Sequence, residues 1–359
     1  MKHIYLLPLL MLTACAGSRL ESEKSIMVCG TYTADGSHGV YSIVFDNGKL
    51  TVEDSVAANN PSYLALADDM SHIYAVREDG ENSGVYTFDF DPATGHFGES
   101  RFVAEGNNPC HLAIVGDKIV TANYSGGSVS EFEIGANGIA WNGRTMAAFA
   151  GCGPDSVRQK TSHIHYTILT PDSTKLLATD LGADCIYGFA VKDGNITLQD
   201  TLQLAPGFGP RHLEFSPDGR FCYLIGELSG DVMTLRYEQG TLTLTPIATI
   251  ECDSLHVRGS GDIHVSPDGK YVYASNRLAG DGIRTFAVND DGTLRNVGYT
   301  PTPSHPRNFV ISPQGNYLIA ACKNDNVIVV YARDKATGKL TPTGERLSLS
   351  SPVCLKFVI

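Results

Sequence analysis

Positive charge is scarce in this chain. Over 359 residues, 27 Lys and Arg stand against 39 Asp and Glu, a formal net charge of −12. Nucleic-acid binding draws its affinity from a basic surface that neutralises phosphates, so this balance argues against that class. A membrane-spanning segment is missing from the N-terminal apolar run, Ile4 to Leu12, because a bilayer needs about 20 apolar residues. No two cysteines have CxxC spacing and none form a tight cluster, so the sequence offers no zinc or dithiol motif. Helical periodicity is absent over any useful length. Charged residues make up only 18%, as suits a β-rich chain with 37 glycines in its turns, while 42% hydrophobic content is ample for a large core.

What the chain does have is a repeat. Short apolar strands open after a Pro, Ser or Gly break at Asn60-Pro61-Ser62, Asn108-Pro109-Cys110, Ser162-His163-Ile164, Gly209-Pro210-Arg211, Gly259-Ser260-Gly261, His305-Pro306-Arg307 and Ser351-Pro352-Val353. Their anchors are Leu64, Leu112, Thr167, Leu213, Ile263, Phe309 and Leu355, at steps of 48, 55, 46, 50, 46 and 46 residues. An all-strand period of about 40–50 residues marks a β-propeller. The fourth repeat reads as strands at His212–Phe215, Phe221–Ile225, Val232–Tyr237 and Thr241–Pro246, with Ser216-Pro217-Asp218-Gly219 as the first turn. Period-two alternation between such turns is hairpin grammar. The N-terminus supplies a second and a third strand and the C-terminus a first strand, so the two ends join into the seventh blade and leave no free sheet edge. The expected fold is all-β: one seven-bladed, four-stranded antiparallel propeller over residues 25–359.

Lys2 and the apolar run precede Leu12-Thr13-Ala14-Cys15. The run fits a signal-peptide core, and the cysteine resembles that of a bacterial lipobox. Residues 1–14 are then a signal peptide, Cys15 the lipidated first residue and 15–24 a tether. The expected location is the cell envelope, periplasm-facing or on the outer membrane, with the lipid as the only membrane contact. The other eight cysteines are expected to be mostly free and buried.

Innermost strands line a propeller's axis, with their opening ends at one face. Hairpin counting sets Arg211 beside Glu227, Gly261 beside Arg277, Arg307 beside Lys323, Ser62 beside Glu78, His165 beside Leu181 and Cys110 beside Tyr124. His165, Arg211, Glu227, Arg277, Arg307 and Lys323 therefore gather at one mouth, and His163 shares the strand parity of His165. Four cations converging in an acidic chain attract a small anion, phosphate or carboxylate. Asp and Glu are too sparse there for a divalent metal site, and no cofactor is called for.

These residues resemble the seven-bladed lactonases typified by 6-phosphogluconolactonase, with the carboxy-muconate lactonising enzymes as relatives. The likeness runs through Gly30-Thr31-Tyr32-Thr33, Ala122-Asn123-Tyr124-Ser125-Gly126-Gly127, Gly209-Pro210-Arg211-His212, Gly226-Glu227-Leu228, Ala274-Ser275-Asn276-Arg277 and Pro306-Arg307-Asn308. It implies hydrolysis of an anionic sugar lactone, 6-phosphogluconolactone, with His165, Arg211, Arg277 and Glu227 catalytic. Glu227 or His165 is the base and the other the proton donor. Arg307 and Lys323 would help hold phosphate, with His163, Asn123, Tyr124 and Asn308 as further substrate-binding positions. An exported protein would not meet a cytosolic intermediate, so either export fails or the natural lactone is another anion. A non-catalytic binding propeller and a muconate-type cycloisomerase are the alternatives.

Overall fold

A computed structural model describes residues 23–241 and 243–359. It contains seven four-stranded antiparallel sheets, six of them built from four consecutive strands. The blade that closes the ring is built from both chain ends: Pro352–Val358 lies innermost, followed by Lys24–Thr31, Gly39–Asp46 and Lys49–Ala57. Met27 pairs with Phe357 and Cys29 with Leu355. Only two single-turn 3₁₀ segments, Gly80–Asn82 and Lys323–Asp325, interrupt the strands among the described residues.

The local chemistry explains the repeat. In Ser216-Pro217-Asp218-Gly219, the Ser216 hydroxyl donates to Asp218 Oδ1 at 2.6 Å and accepts from Phe221 N–H at 3.0 Å. Gly219 then takes a left-handed φ of 69°, which a Cβ would disfavour. The bond recurs from Ser266 to Asp268 and from Thr170 to Asp172. All seven anchors are buried, packed where adjacent blades meet. The outermost strands are largely exposed, as in Asn195–Gln203.

Two boundaries differ from expectation. The fourth blade's outer strand runs Leu244–Glu251 rather than starting at Thr241, because Thr241 is spent on a turn, its hydroxyl donating to the Glu238 carbonyl at 2.7 Å. The propeller also begins before Ser25. Lys24 opens the first strand, and the buried Glu23 carboxylate accepts from Gln314 N–H and Asn316 Nδ2. The signal peptide, Cys15 and the rest of the tether lie outside the described residues. The eight cysteines from Cys29 onward are free; seven are buried and Cys152 is exposed.

Candidate active site

Six of the seven innermost strands shift register near their openings, inserting Val353, Cys110, His165, Arg211, Gly261 or Arg307 at the bulge. This corrects the hairpin counting. The backbone partner of Glu227 is Gly209, whose carbonyl accepts its N–H at 2.8 Å, and Arg277, Lys323, Leu181, Tyr124 and Glu78 likewise pair two residues earlier than counted, with Gly259, His305, His163, Asn108 and Asn60. A bulge adds one residue to one strand and re-aims its side chain. Arg211 thereby comes back to Glu227 although its backbone does not face it. Where the strand opens on proline, the residue before it is left-handed: Asn60, Asn108, Gly209, His305 and Ser351 have φ between 44° and 63°.

Glu227 is the centre of the mouth. Its Oε2 lies 2.9 Å from Arg211 Nε and 3.1 Å from Arg277 Nη2, and its Oε1 2.5 Å from Arg158 Nη2. Burial alone would raise its pKa, but Arg277, Arg211 and Arg158 outweigh that and hold it at about 2. The guanidiniums are themselves fixed by carbonyls. Arg211 Nη1 donates to Gly261 O at 2.7 Å, and Arg277 donates to Gly259 O and Ser260 O at 2.9 and 3.1 Å. Such fixed donors cost little reorganisation when charge develops near them.

His165 Nε2 stands 3.9 Å from Glu227 Oε2. Burial first, then Arg211, His212 and Arg307, push its pKa well down, so the ring is neutral at pH 7. Cys110 Sγ lies 3.8 Å from its Nδ1 and donates to its carbonyl at 3.3 Å. Tyr124 makes an edge contact with this ring at 5.5 Å and stacks on His163 at 4.4 Å. Its hydroxyl accepts from Arg158 at 3.2 Å, and its carbonyl bonds His163 Nδ1 at 2.8 Å. Tyr124 and His163 therefore form one wall.

Across the opening, Arg307 Nη2 donates to Tyr32 Oη, which donates to Glu78 Oε2, each at 2.8 Å. The Lys323 ammonium lies 5.9 Å from the Tyr32 ring centre. His305 completes this side: burial, Arg277, Arg307 and Lys323 hold it near pKa 3, and its Nδ1 is buried without a partner. Five cations, Arg158, Arg211, Arg277, Arg307 and Lys323, thus surround two carboxylates, Glu227 and Glu78, leaving three positive charges in excess.

Two expected substrate contacts are absent from the mouth. Asn123 is fully buried and spends its side chain on Thr121, Ser128 and Ser130, holding two strands of its own blade. Asn308 bridges blades instead, donating to Asp262 at 2.5 Å and accepting from Leu355 N–H at 2.7 Å. Conversely, Arg158, Tyr32 and His305 belong to the mouth although the register count did not reach them, and so does Glu78, which the count set beside Ser62 without assigning it to the site. The 55-residue step between the second and third anchors was the available signal for Arg158, which sits in the long connection after Ala148. Among the described residues, no three His, Cys, Asp or Glu side chains gather as a metal site.

A closed seven-bladed ring thus carries a buried carboxylate, clustered guanidiniums and a neutral imidazole at one mouth, with positive charge in excess there. The chain belongs to the seven-bladed β-propeller lactonases, whose family model it matches over residues 26–357. It is 34% identical over 346 residues to the 6-phosphogluconolactonase of Bacillus subtilis (strain 168), covering 93% of this chain and 99% of that protein. A crystal structure of a candidate 6-phosphogluconolactonase from Bacteroides fragilis matches with a TM-score of 0.90 at 42% identity, covering 94% of this chain and 98% of that one. A periplasmic gluconolactonase from Pseudomonas aeruginosa matches with a TM-score of 0.85 at 30% identity, over 94% and 99%.

Proposed function

We propose that this protein hydrolyses an anionic sugar lactone, 6-phosphogluconolactone being the first candidate. The observation that carries the reading is the Glu227 carboxylate shared by Arg158, Arg211 and Arg277 beside the neutral ring of His165, in a chain of the lactonase family. Glu227 is already engaged by three guanidiniums, which leaves the neutral ring of His165 as the base. His165 Nε2 and Glu227 Oε2, two acceptors 3.9 Å apart, suit a single water that donates to both.

Attack of that water on the lactone carbonyl passes one proton to His165 Nε2. The oxyanion is met by the guanidiniums at the mouth, which are already in place. As the bond between the carbonyl carbon and the ring oxygen breaks, the imidazolium returns its proton to that oxygen. The product acid ionises and releases the net proton to solvent. Arg307 and Lys323 hold the substrate's own anionic group.

A second reading has its own support. The Pseudomonas relative is a periplasmic gluconolactonase, and Cys15, if lipidated, would put this protein in the envelope, away from a cytosolic phosphorylated intermediate. On that reading the natural lactone is an anionic or unphosphorylated aldonolactone outside the cytoplasm.

Hydrolysis of 6-phosphogluconolactone and gluconolactone by wild type, Glu227→Gln and His165→Gln, with and without chelator, tests both. Wild-type turnover that survives chelation and falls about 10²–10⁴-fold in each variant supports the assignment. Silence on every lactone would instead favour a non-catalytic binding propeller. Full activity in both variants would remove this mouth from the chemistry.

A further inference from the structure

The same axial channel has a second polar chamber at its far end. A cavity of about 340 Å³ opens at the face opposite Glu227, walled by Tyr63, His111, Tyr166, Lys356 and the apolar side chains of Leu66, Leu169 and Phe357. Its polar groups are donors. Thr167 N–H donates to His111 Nδ1 at 3.2 Å, so the neutral ring carries its proton on Nε2, and that buried N–H has no partner. A buried donor left without a partner is destabilising. Lys356 Nζ donates to Tyr63 Oη at 3.0 Å and lies 4.7 Å from the Tyr63 ring centre, and the Tyr63 hydroxyl is also hydrogen-bonded with Tyr166.

The His111 ring is clasped between Tyr63 and Tyr166, with centroids 4.0 and 3.8 Å away, so the donors are held in place. The acids behind the chamber are already engaged. Asp262 is bonded by His212 and His264, and Glu214 by His264. A cation and a hydroxyl therefore share a half-apolar cavity, and the unsatisfied His111 N–H lies buried in its wall.

We propose that this chamber binds a small carboxylate with an apolar tail, its oxygens on Lys356 and Tyr63 and its tail against Leu66, Leu169 and Phe357. It is separate from the Glu227 mouth and uses none of that mouth's residues.

Calorimetric titration of the full-length protein with butyrate tests this, using wild type, Lys356→Met, Tyr63→Phe and Arg307→Met. One butyrate should bind wild type and Arg307→Met alike. Affinity should fall about tenfold or more, equivalent to at least 1.4 kcal/mol, in Lys356→Met and measurably in Tyr63→Phe. Inorganic phosphate should bind the chamber more weakly, for want of a tail. Absence of butyrate binding, binding unaltered in Lys356→Met, or binding lost in Arg307→Met would each overturn the proposal. Lys356→Met lies outside the ion cluster, so an unchanged melting temperature will show that any lost affinity is not lost folding.

Discussion

Arg158 Nη2 lies 2.5 Å from Glu227 Oε1, although 69 residues separate them. The contact ties a long loop from the second blade to the end of a fourth-blade strand. A second tie fixes the same loop: Asp155 pairs with Arg258 from the connection ahead of the fifth blade. The loop thus places a third guanidinium that the inner strands cannot supply.

Replacing Arg158 by Met removes one of three charges that hold Glu227 at about 2. An adjacent opposite charge lowers a carboxyl by about 1–3 units, so the Glu227 pKa should rise by about one unit or more. If turnover needs ionised Glu227, activity is present above its pKa and fails below it. The acid limb of the kcat/KM profile should therefore move to higher pH in Arg158→Met. An unmoved limb, with only a uniform loss of rate, would show that Glu227 ionisation does not limit catalysis.

Gly261 makes a sharper geometric test. A Cβ there would sit 2.6 Å from Ser275 Oγ and 3.2 Å from Arg277 Nε, and the Gly261 carbonyl holds Arg211. Gly261→Ala must push Arg277 or Ser275 aside, and a misplacement of about 1 Å can cost about 10²-fold in rate. We expect kcat/KM to fall about tenfold to a hundredfold, against a stability loss of about 1–3 kcal/mol. Gly298→Ala, where a Cβ meets nothing within 4 Å, is the control and should leave kcat/KM unchanged. Equal kinetics in the two variants would refute a positioning role for this backbone.

The ring and much of its site were legible in the sequence because both follow from period. Breaks, anchors and Ser-Pro-Asp-Gly turns recur at blade spacing, and the side chains at one offset from each break, His165, Arg211 and Arg307, share one face. Backbone register was less legible. The bulge leaves no mark that a residue count detects, so Arg211 was matched with the right side chain through the wrong backbone partner. Asn123 and Asn308 were misplaced for a related reason: adjacent strand residues point to opposite faces, and motif membership does not say which. Arg158 breaks the period, so a repeat-based reading could register its loop only as an unusually long step.

Arg307 should govern substrate binding rather than the chemical step. It touches Tyr32 rather than Glu227, on the side of the mouth where Lys323 also lies. Arg307→Met should raise KM for 6-phosphogluconolactone about tenfold or more while changing kcat little, the pattern of lost uniform binding. For unphosphorylated gluconolactone the rise should be smaller. Equal KM shifts for the two lactones would argue that Arg307 does not hold a phosphate and would strengthen the aldonolactone reading.

His264 gives the fold a pH dependence of its own. Burial opposes its charge, but Asp262 at 3.0 Å and Glu214 at 2.5 Å raise its pKa from 6.5 to about 10. The neighbouring His212, on Asp262 Oδ1 at 2.7 Å, is held by burial and Arg211 at about 3 and stays neutral. The folded protein therefore holds the His264 proton more tightly than the unfolded chain does. This stabilisation is complete below pH 6.5 and is lost as pH rises towards 10, on the order of a few kcal/mol over that window. Thermal melts of wild type should fall steadily between pH 6.5 and 10. His264→Gln should melt lower at pH 6 and lose less on going to pH 10, so the two curves converge. Parallel curves would mean that His264 is neutral in the fold and that the Asp262 carboxylate takes its charge balance from elsewhere.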